Sequence, residues 1–588
     1  MYYIYKYINA LSGKTYNLQK HNFAKNKKID SDDAWQKFYI GTLRVSKNYS
    51  LCQAITCFFI KKQNECTIGH KSPCKFHRPV QTHAATFDEN KTSPFLDVYH
   101  GPERTARGAT IGVMITASHN LEPDNGVKLI DPHGEMLEMS WEALATKLAN
   151  VSDNELESVV SEIVETHKID MRLKASVFIG MDSRPGLAKA ATDGVLAIQG
   201  TPRDFGIVTT PMLHYFVLCR NSNGAYGMPT EEGYYNKLVN AFKLLRAGET
   251  SHGSYKPLVY LDGANGVGGK KMRHIKKKLD GYLDVEIFNA GGNGGKLNLN
   301  CGADHVKVQQ SPPVDVPREL NQRVASFDGD GDRIVYYYLD NSETFHLLDG
   351  DRIATLLAGY MMGLAKKCQL TDLKLGLVQT AYANGASTEY ITEKLCVPVT
   401  CVKTGVKHLH HAALSYDIGV YFEANGHGTV IYSQRAKDLI KASLNPEQKY
   451  AAKKMLAVID LTNETVGDAI SDLLLVETVL HTNGWDVHQW LQSYKDLPCR
   501  QLKVSVKDRN VVTTTDAERK CVTPEGLQEK IDSLVFKYSK GRAFVRASGT
   551  EDIVRVYAET TTKDVTAEVA LAVYDMADGV GERPEIPQ

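Results

Sequence analysis

Residues 323–340 read RVASFDGDGDRIVYYYLD: an apolar run, a loop of three aspartates separated by glycines, then a second apolar run rich in tyrosine. Short β-branched and aromatic runs bounded by glycine and aspartate are the pattern of buried strands joined by a tight loop. Asp328, Asp330 and Asp332 stand at alternate positions, and the glycines between them allow three carboxylates to converge. Hard oxygen donors in that number suit Mg²⁺ with room left for a phosphate oxygen. A calcium-binding EF-hand also opens on alternating aspartates, but it needs glutamate at loop position twelve, where this chain has Leu339. A solvated acidic turn is the plainer alternative; the strand that follows at once sets the loop at a buried sheet edge and favours metal.

Similar runs recur on both sides. ATIGVMITAS (109–118), ASVFIGMDS (175–183), PLVYLDGANG (257–266), KLGLVQTAYANG (374–385) and IGVYFEANGHG (418–428) each end in small or polar residues. Helical patterns such as RIATLLAGYMMGLAKK (352–367) lie between them. That alternation predicts α/β domains, in which ligand groups sit on loops at the carboxyl ends of strands. Beyond about residue 460 the text changes: LPCRQLKVSVKD and GRAFVRASGTEDIVRVYAET read as antiparallel strands, and TKDVTAEVALAVYDMA as a closing helix. The expectation there is a separate α+β domain.

At 588 residues the chain exceeds one core, and several domains follow from size alone. Its 69 basic and 69 acidic residues balance, which argues against a nucleic-acid partner. No apolar stretch reaches the roughly 18 residues of a membrane span. Eleven scattered cysteines form no framework and point to free thiols and a cytoplasmic protein. Residues 1–107 differ from the rest, with weak periodicity and Cys66, His70, Cys74 and His77 at a spacing that fits no common zinc finger.

Three further stretches carry chemistry. ITASHN (115–120) places Ser118 at a strand end beside His119, as a nucleophile, a phosphate carrier or a helix cap. RASGTEDIVR (546–555) offers Arg546, Ser548, Gly549, Thr550 and Arg555, a fitting cradle for a phosphate dianion. FEANGHG (422–428) sets Glu423, Asn425 and His427 at alternate positions, where they can hydrogen-bond sugar hydroxyls. A sugar phosphate, with a phosphoryl group carried on serine, would use all four loops.

In that order TASHN, DGDGDR, EANGH and RASGTED resemble the α-D-phosphohexomutase family, and the resemblance covers roughly residues 108–588. DNGVKLIDPHGEML, KTGVKHLHHAA, YFEANGHGT and TTDAERKCVTPEGLQE resemble its acetylglucosamine branch. The resemblance implies four domains, three related α/β units with mixed sheets and a mobile C-terminal α+β unit. The boundaries expected are 108–198, 199–310, 311–455 and 456–588, after the divergent 1–107. It implies interconversion of N-acetylglucosamine 6-phosphate and 1-phosphate through a 1,6-bisphosphate, with Mg²⁺, on the route to UDP-N-acetylglucosamine.

By the family's motifs Ser118 is the phosphoserine and a Mg²⁺ ligand with Asp328, Asp330 and Asp332. His119, Lys128 and Arg333 join the catalytic set, Lys128 assisting proton transfer and Arg333 steadying the reacting phosphate. Glu423, Asn425 and His427 grip the sugar, with Thr404 and Lys407 beside them. Arg546, Ser548, Gly549, Thr550 and Arg555 bind the phosphate that is not reacting. Asn425 stands where glucose and mannose relatives usually have serine, and its amide suits an acetamido group. His408, His410 and His411 read as an exposed helix start rather than a metal cluster.

The chain departs from the pattern in three places. No YGTAGFR-like segment is evident, YIGTLR (39–44) being a weak echo that gives Arg44 no role. Leu121 and Ala547 replace prolines, loosening each loop by roughly 1 kcal/mol. Activity on glucose or mannose phosphates, or a weakly catalytic sugar-phosphate-binding scaffold, therefore stays open at this point.

Overall fold

A computed structural model describes residues 109–585 apart from 153, 168, 170–174, 185–187, 199, 251, 293, 550 and 563. Residues 1–107, with Arg44 and the four candidate zinc ligands, lie outside the described residues, as does Thr550. The chain divides into two compact units, Met1–Tyr234 and Tyr235–Gln588.

In the first unit β1 (Thr110–Ile115) is buried at every position. Its neighbours are β2 (Val127–Ile130), β3 (Ser176–Met181) and β4 (Thr201–Ile207), in the order β2-β1-β3-β4. β1, β3 and β4 run parallel and β2 antiparallel. Ile111, Val113 and Ile115 pack on one side with Leu148, Leu156 and Ile163 from the helices Met139–Asn150 and Leu156–Thr166. Gly112 and Gly180 open the other side to the helix Thr210–Asn221: a Cβ on Gly180 would lie 2.6 Å from Val208 and 3.2 Å from Leu213. A sheet covered on both faces explains the unbroken apolar runs. The boundary expected at 198/199 is corrected, because β4 belongs to this sheet. Its TPRDFGI is an edge strand without the apolar alternation that marks a strand in sequence.

The second unit holds the remaining sheets. β5 (Leu258–Asp262), β6 (Asp284–Phe288), β7 (Val324–Phe327), β8 (Ile334–Leu339) and β9 (Phe345–Leu348) form one, in the order β6-β5-β7-β8-β9. β7 runs parallel to β5, and β8 returns antiparallel. The aspartate loop therefore joins neighbours of this sheet, and the boundary expected at 310/311 is corrected too. An apolar run declares that it is a strand and not which sheet it enters.

β10 (Leu375–Thr380), β11 (Val399–Val402), β12 (Ile418–Phe422) and β13 (Gly428–Tyr432) form the third sheet, ordered β11-β10-β12-β13 with β13 antiparallel. The helices Lys449–Leu461 and Ala469–Asn483 pack on Gly350–Lys367 beside it. The boundary expected at 455/456 falls within the first of these, so that division also moves. Glu477, fully buried, takes a bidentate pair from Arg323 at 2.7 and 2.8 Å. Burial opposes the Arg323 charge, and Glu477 with Tyr255 more than offsets it, raising that pKa.

The last domain is the antiparallel sheet β14-β18-β17, from β14 (Cys499–Ser505), β17 (Arg542–Ala547) and β18 (Ile553–Glu559), as the sequence predicts. A separate two-stranded hairpin of β15 (Thr513–Thr515) and β16 (Lys520–Thr523) lies in the same domain. One face buries Val545, Val554 and Val556 under the helices Leu527–Val535 and Thr566–Met576. The other sets Phe544 and Tyr557 against Ala381 and Tyr382 beyond β10. Arg542 fastens that contact, donating to the Ala381 and Ala383 carbonyls at 2.8 and 2.7 Å and to Glu559 at 2.9 Å.

Candidate active site

β1 ends at Ile115 and β3 at Met181 in the same parallel register, so the residues beyond them are neighbours. Ser118 lies there, buried, with φ +46. Left-handed backbone is unfavourable for a residue with a Cβ and persists where surroundings enforce it. The enforcing groups are visible. The Ser118 amide donates to Thr116 Oγ1 at 2.9 Å, which itself donates to Asp182 Oδ2 at 2.7 Å. Arg184 pairs with fully buried Asp182 and reaches the carbonyls of Ser118 and Asn120. Asn120 closes a turn onto Ala117, and the next helix begins only at Met139, so Ser118 caps no helix among the described residues. His119 follows in the same turn. Lys128 sits on β2 opposite Met114, flanking the strand that leads to the serine.

Asp328, Asp330 and Asp332 are all buried, and one oxygen from each lies within 4.8 Å of the others. Asp328 Oδ1 accepts from the amides of Gly331, Asp332 and Arg333 at 3.1, 3.0 and 3.2 Å, folding the loop around itself. Three converging carboxylates of this kind fit Mg²⁺. Arg333 Nε stands 3.9 Å from both Asp328 and Asp332. Burial works against its charge, yet Asp332, Asp328 and Glu423 hold its pKa above the ordinary value.

The loop between β12 and β13 is built against this one. The Ile334 amide donates to the Gly426 carbonyl at 3.1 Å, and His427 Nδ1 lies 3.4 Å from Asp332. His427 Nδ1 thus faces the aspartate loop. Asn425 donates to Glu423 Oε2 at 3.2 Å and accepts from the His427 amide at 3.0 Å. A carboxamide has a second N–H, the group an acetamido carbonyl would take. Glu423 Oε1 accepts from the Gly405 amide at 3.3 Å, which brings Thr404 and the helix Val406–Ala413, with Lys407, to the same wall. The histidine reading there is corrected in part: His410 is buried and bonds Tyr421 at 3.0 Å, while His411 is exposed.

Arg546 and Arg555 are direct cross-strand partners on β17 and β18, and Lys503 of β14 is the next partner along the row. Like charges set opposite each other destabilise a sheet, and a bound anion removes the penalty. Arg546 Nε donates to Tyr382 at 3.1 Å, aiming the guanidinium. Ser548 is buried at the strand end, and a Cβ at Gly549 would meet open space.

Comparisons with known proteins follow the same order along the chain. Residues 103–155 match the α/β/α domain I of phosphoglucomutase/phosphomannomutase, and 502–576 the C-terminal domain of that group. Residues 225–335 and 349–485 match domains II and III of phosphoacetylglucosamine mutase AMG1. Human phosphoacetylglucosamine mutase is 51% identical over 488 residues, 81% of this chain and 90% of that protein. The chain belongs to the phosphoacetylglucosamine mutase family. A Schizosaccharomyces pombe member, phosphoacetylglucosamine mutase 2, is 45% identical over 480 residues, 80% of this chain and 88% of its own length. The crystal structure of Aspergillus fumigatus N-acetylphosphoglucosamine mutase in complex with GlcNAc-6P and magnesium is similar at TM-score 0.78. That match is 44% identical and covers 90% of this chain and 93% of the other.

Four residues of this phosphoacetylglucosamine mutase family member escaped the sequence reading: Asp182, Arg184, Lys503 and Glu518. MDSR (181–184) offered a signal, since a strand ends on an acid and a base two residues apart. Lys503, paired with Arg555, and Glu518, which accepts from the Thr404 amide at 2.9 Å, gave none, because pairing across strands and between domains brings them in.

Proposed function

We propose that this chain interconverts N-acetylglucosamine 6-phosphate and 1-phosphate by way of a phosphoserine at Ser118 and a 1,6-bisphosphate. The buried trio Asp328, Asp330 and Asp332, locked by backbone to the loop of Asn425, carries the reading. It joins a Mg²⁺-type donor set to an acetamido-type recognition loop in one structure.

The chain's own residues divide the work. The strained turn presents Ser118; the bond from its oxygen to phosphorus breaks as a substrate hydroxyl attacks, and that hydroxyl gives up its proton. His119 and Lys128 are the groups proposed to manage that proton. Mg²⁺, held by the three aspartates, would neutralise charge on the transferred phosphoryl group. Arg333 steadies that group, Glu423, Asn425 and His427 hold the sugar, and Arg546, Ser548, Gly549, Thr550 and Arg555 hold the distant phosphate. After the bisphosphate turns around, the other phosphoryl returns to Ser118. The cradle must therefore accept either end.

No helix among the described residues is long and apolar enough to cross a membrane. Free thiols at the described cysteines support a reducing compartment, the cytoplasm. A coupled assay with N-acetylglucosamine, glucose and mannose phosphates plus Mg²⁺ tests the reading. Fastest turnover with the acetylated sugar is expected, and chelation or Ser118→Ala should abolish it while sugar-phosphate binding survives. Equal loss of binding and turnover in Ser118→Ala would make the serine structural.

A further inference from the structure

The tip of the β15–β16 hairpin is an improbable piece of backbone. Asp516, Ala517 and Glu518 are successive non-glycine residues at φ +51, +55 and +69. Each is disfavoured by crowding at its Cβ, and such strain survives where surroundings hold it and gathers at ligand clamps. Arg519 braces the turn, donating to the Asp516 carbonyl at 3.1 Å and its carboxylate at 2.6 Å.

The product of this strain is a buried carboxylate that leaves its own domain. Glu518 is 8% exposed, and its Oε2 accepts from the Thr404 amide at 2.9 Å and the Thr404 hydroxyl at 2.5 Å. The same oxygen lies 4.0 Å from Arg546 Nε. Thr404 precedes the helix Val406–Ala413, and the next amide, Gly405, goes to Glu423. Two acids from different domains therefore take successive amides at one helix start, where unsatisfied N–H groups favour negative charge. Arg542 already fastens the last domain to the loop beyond β10, so docking alone does not require a second tie. Glu518 makes its tie on the ligand side, between the sugar wall and the arginine of the cradle.

We propose that Glu518 is a positioning residue that latches the C-terminal domain to the sugar wall and so retains the bisphosphate while it turns around. This rests on the phosphomutase reading. Once Ser118 has given up its phosphoryl group, an escaping bisphosphate leaves a bare hydroxyl and an idle enzyme. Only a fresh sugar bisphosphate, donating one phosphoryl group to Ser118 Oγ and departing as a monophosphate, restores it. A latch that lengthens closure protects every cycle from that loss.

The test compares full-length wild type with Glu518→Ala, measuring labelled bisphosphate released per turnover and kcat with and without added glucose 1,6-bisphosphate. The variant should release about tenfold more, the factor for one lost charge-assisted hydrogen bond, and added bisphosphate should restore its kcat. Exchange of the Thr404 amide should accelerate in the variant whatever reaction the site performs. Unchanged release, unchanged exchange, or a kcat deficit that bisphosphate does not repair would each overturn the proposal. Wild type without sugar-phosphate conversion or phosphoenzyme would overturn the mutase reading alone, leaving the exchange result to decide the latch. Glu518→Asn, which tolerates the left-handed backbone but withdraws the reach to Thr404 and the charge beside Arg546, serves if alanine does not fold; unchanged release there counts equally against the latch.

Discussion

Gly426 and Ile334 are in backbone contact: the Ile334 amide donates to the Gly426 carbonyl at 3.1 Å, and a Cβ on Gly426 would lie 1.9 Å from the Ile334 carbonyl oxygen. The sugar loop and the metal loop are thereby one rigid object. Gly426 also has φ +86, so both its space and its conformation exclude a side chain. Gly426→Ala should cost at least about 2 kcal/mol and cut kcat/KM for sugar phosphate by roughly 100-fold. Thermal melting and steady-state kinetics check both; a variant with wild-type Mg²⁺ dependence and turnover would break the link.

The Ser118 turn depends on a buried ion pair. Asp182→Ala leaves Arg184 without its acid and should cost about 3 kcal/mol. Phosphorylation of Ser118, read by mass, should fall with it, because Arg184 no longer holds the Ser118 and Asn120 carbonyls. Asp182→Leu combined with Arg184→Met should regain much of the stability without regaining the phosphate. Recovery of both would remove the pair from any part in presenting the serine.

Acid stability should report His481. Burial, then Arg246, lowers its pKa to about 4 from an ordinary 6.5, with Glu249 3.7 Å away opposing. The unfolded chain binds this proton more readily than the folded one, so stability is complete above about pH 6.5 and declines as pH falls toward 4. The loss is on the order of 2 kcal/mol. Melting temperature against pH should flatten over that window in His481→Gln, and an unaltered slope would assign acid sensitivity to other groups.

Sugar choice should follow Asn425. Serine at that position loses the spare N–H offered to an acetamido group, and Asn425→Ser should shift the kcat/KM ratio toward glucose phosphate by about tenfold. An unchanged ratio would take Asn425 out of the specificity argument.

What the sequence disclosed was what a single loop contains. The aspartate trio, the Glu423–His427 loop and the Arg546–Arg555 hairpin are local, their glycines and alternation being written in one stretch each. Mixed sheets and the antiparallel last domain followed from runs that strands alone satisfy. Three properties were hidden for one reason, distance along the chain. Sheet membership of β4 and of β7–β8 depends on register with strands far upstream, which shifted the expected boundaries. Glu518 meets Thr404 across 114 positions. The approach of His427 to Asp332 at 3.4 Å joins two loops that the chain holds far apart.

The row formed by Arg546, Arg555 and Lys503 has a consequence for fidelity. Mutual repulsion is relieved by any dianion, so a row that held the distant phosphate as proposed would be blind to which carbon carries it. That blindness would permit a two-ended intermediate to be gripped in either orientation. Inorganic oxyanions should therefore compete there irrespective of sugar, and discrimination among hexoses is left to the opposite end of the ligand.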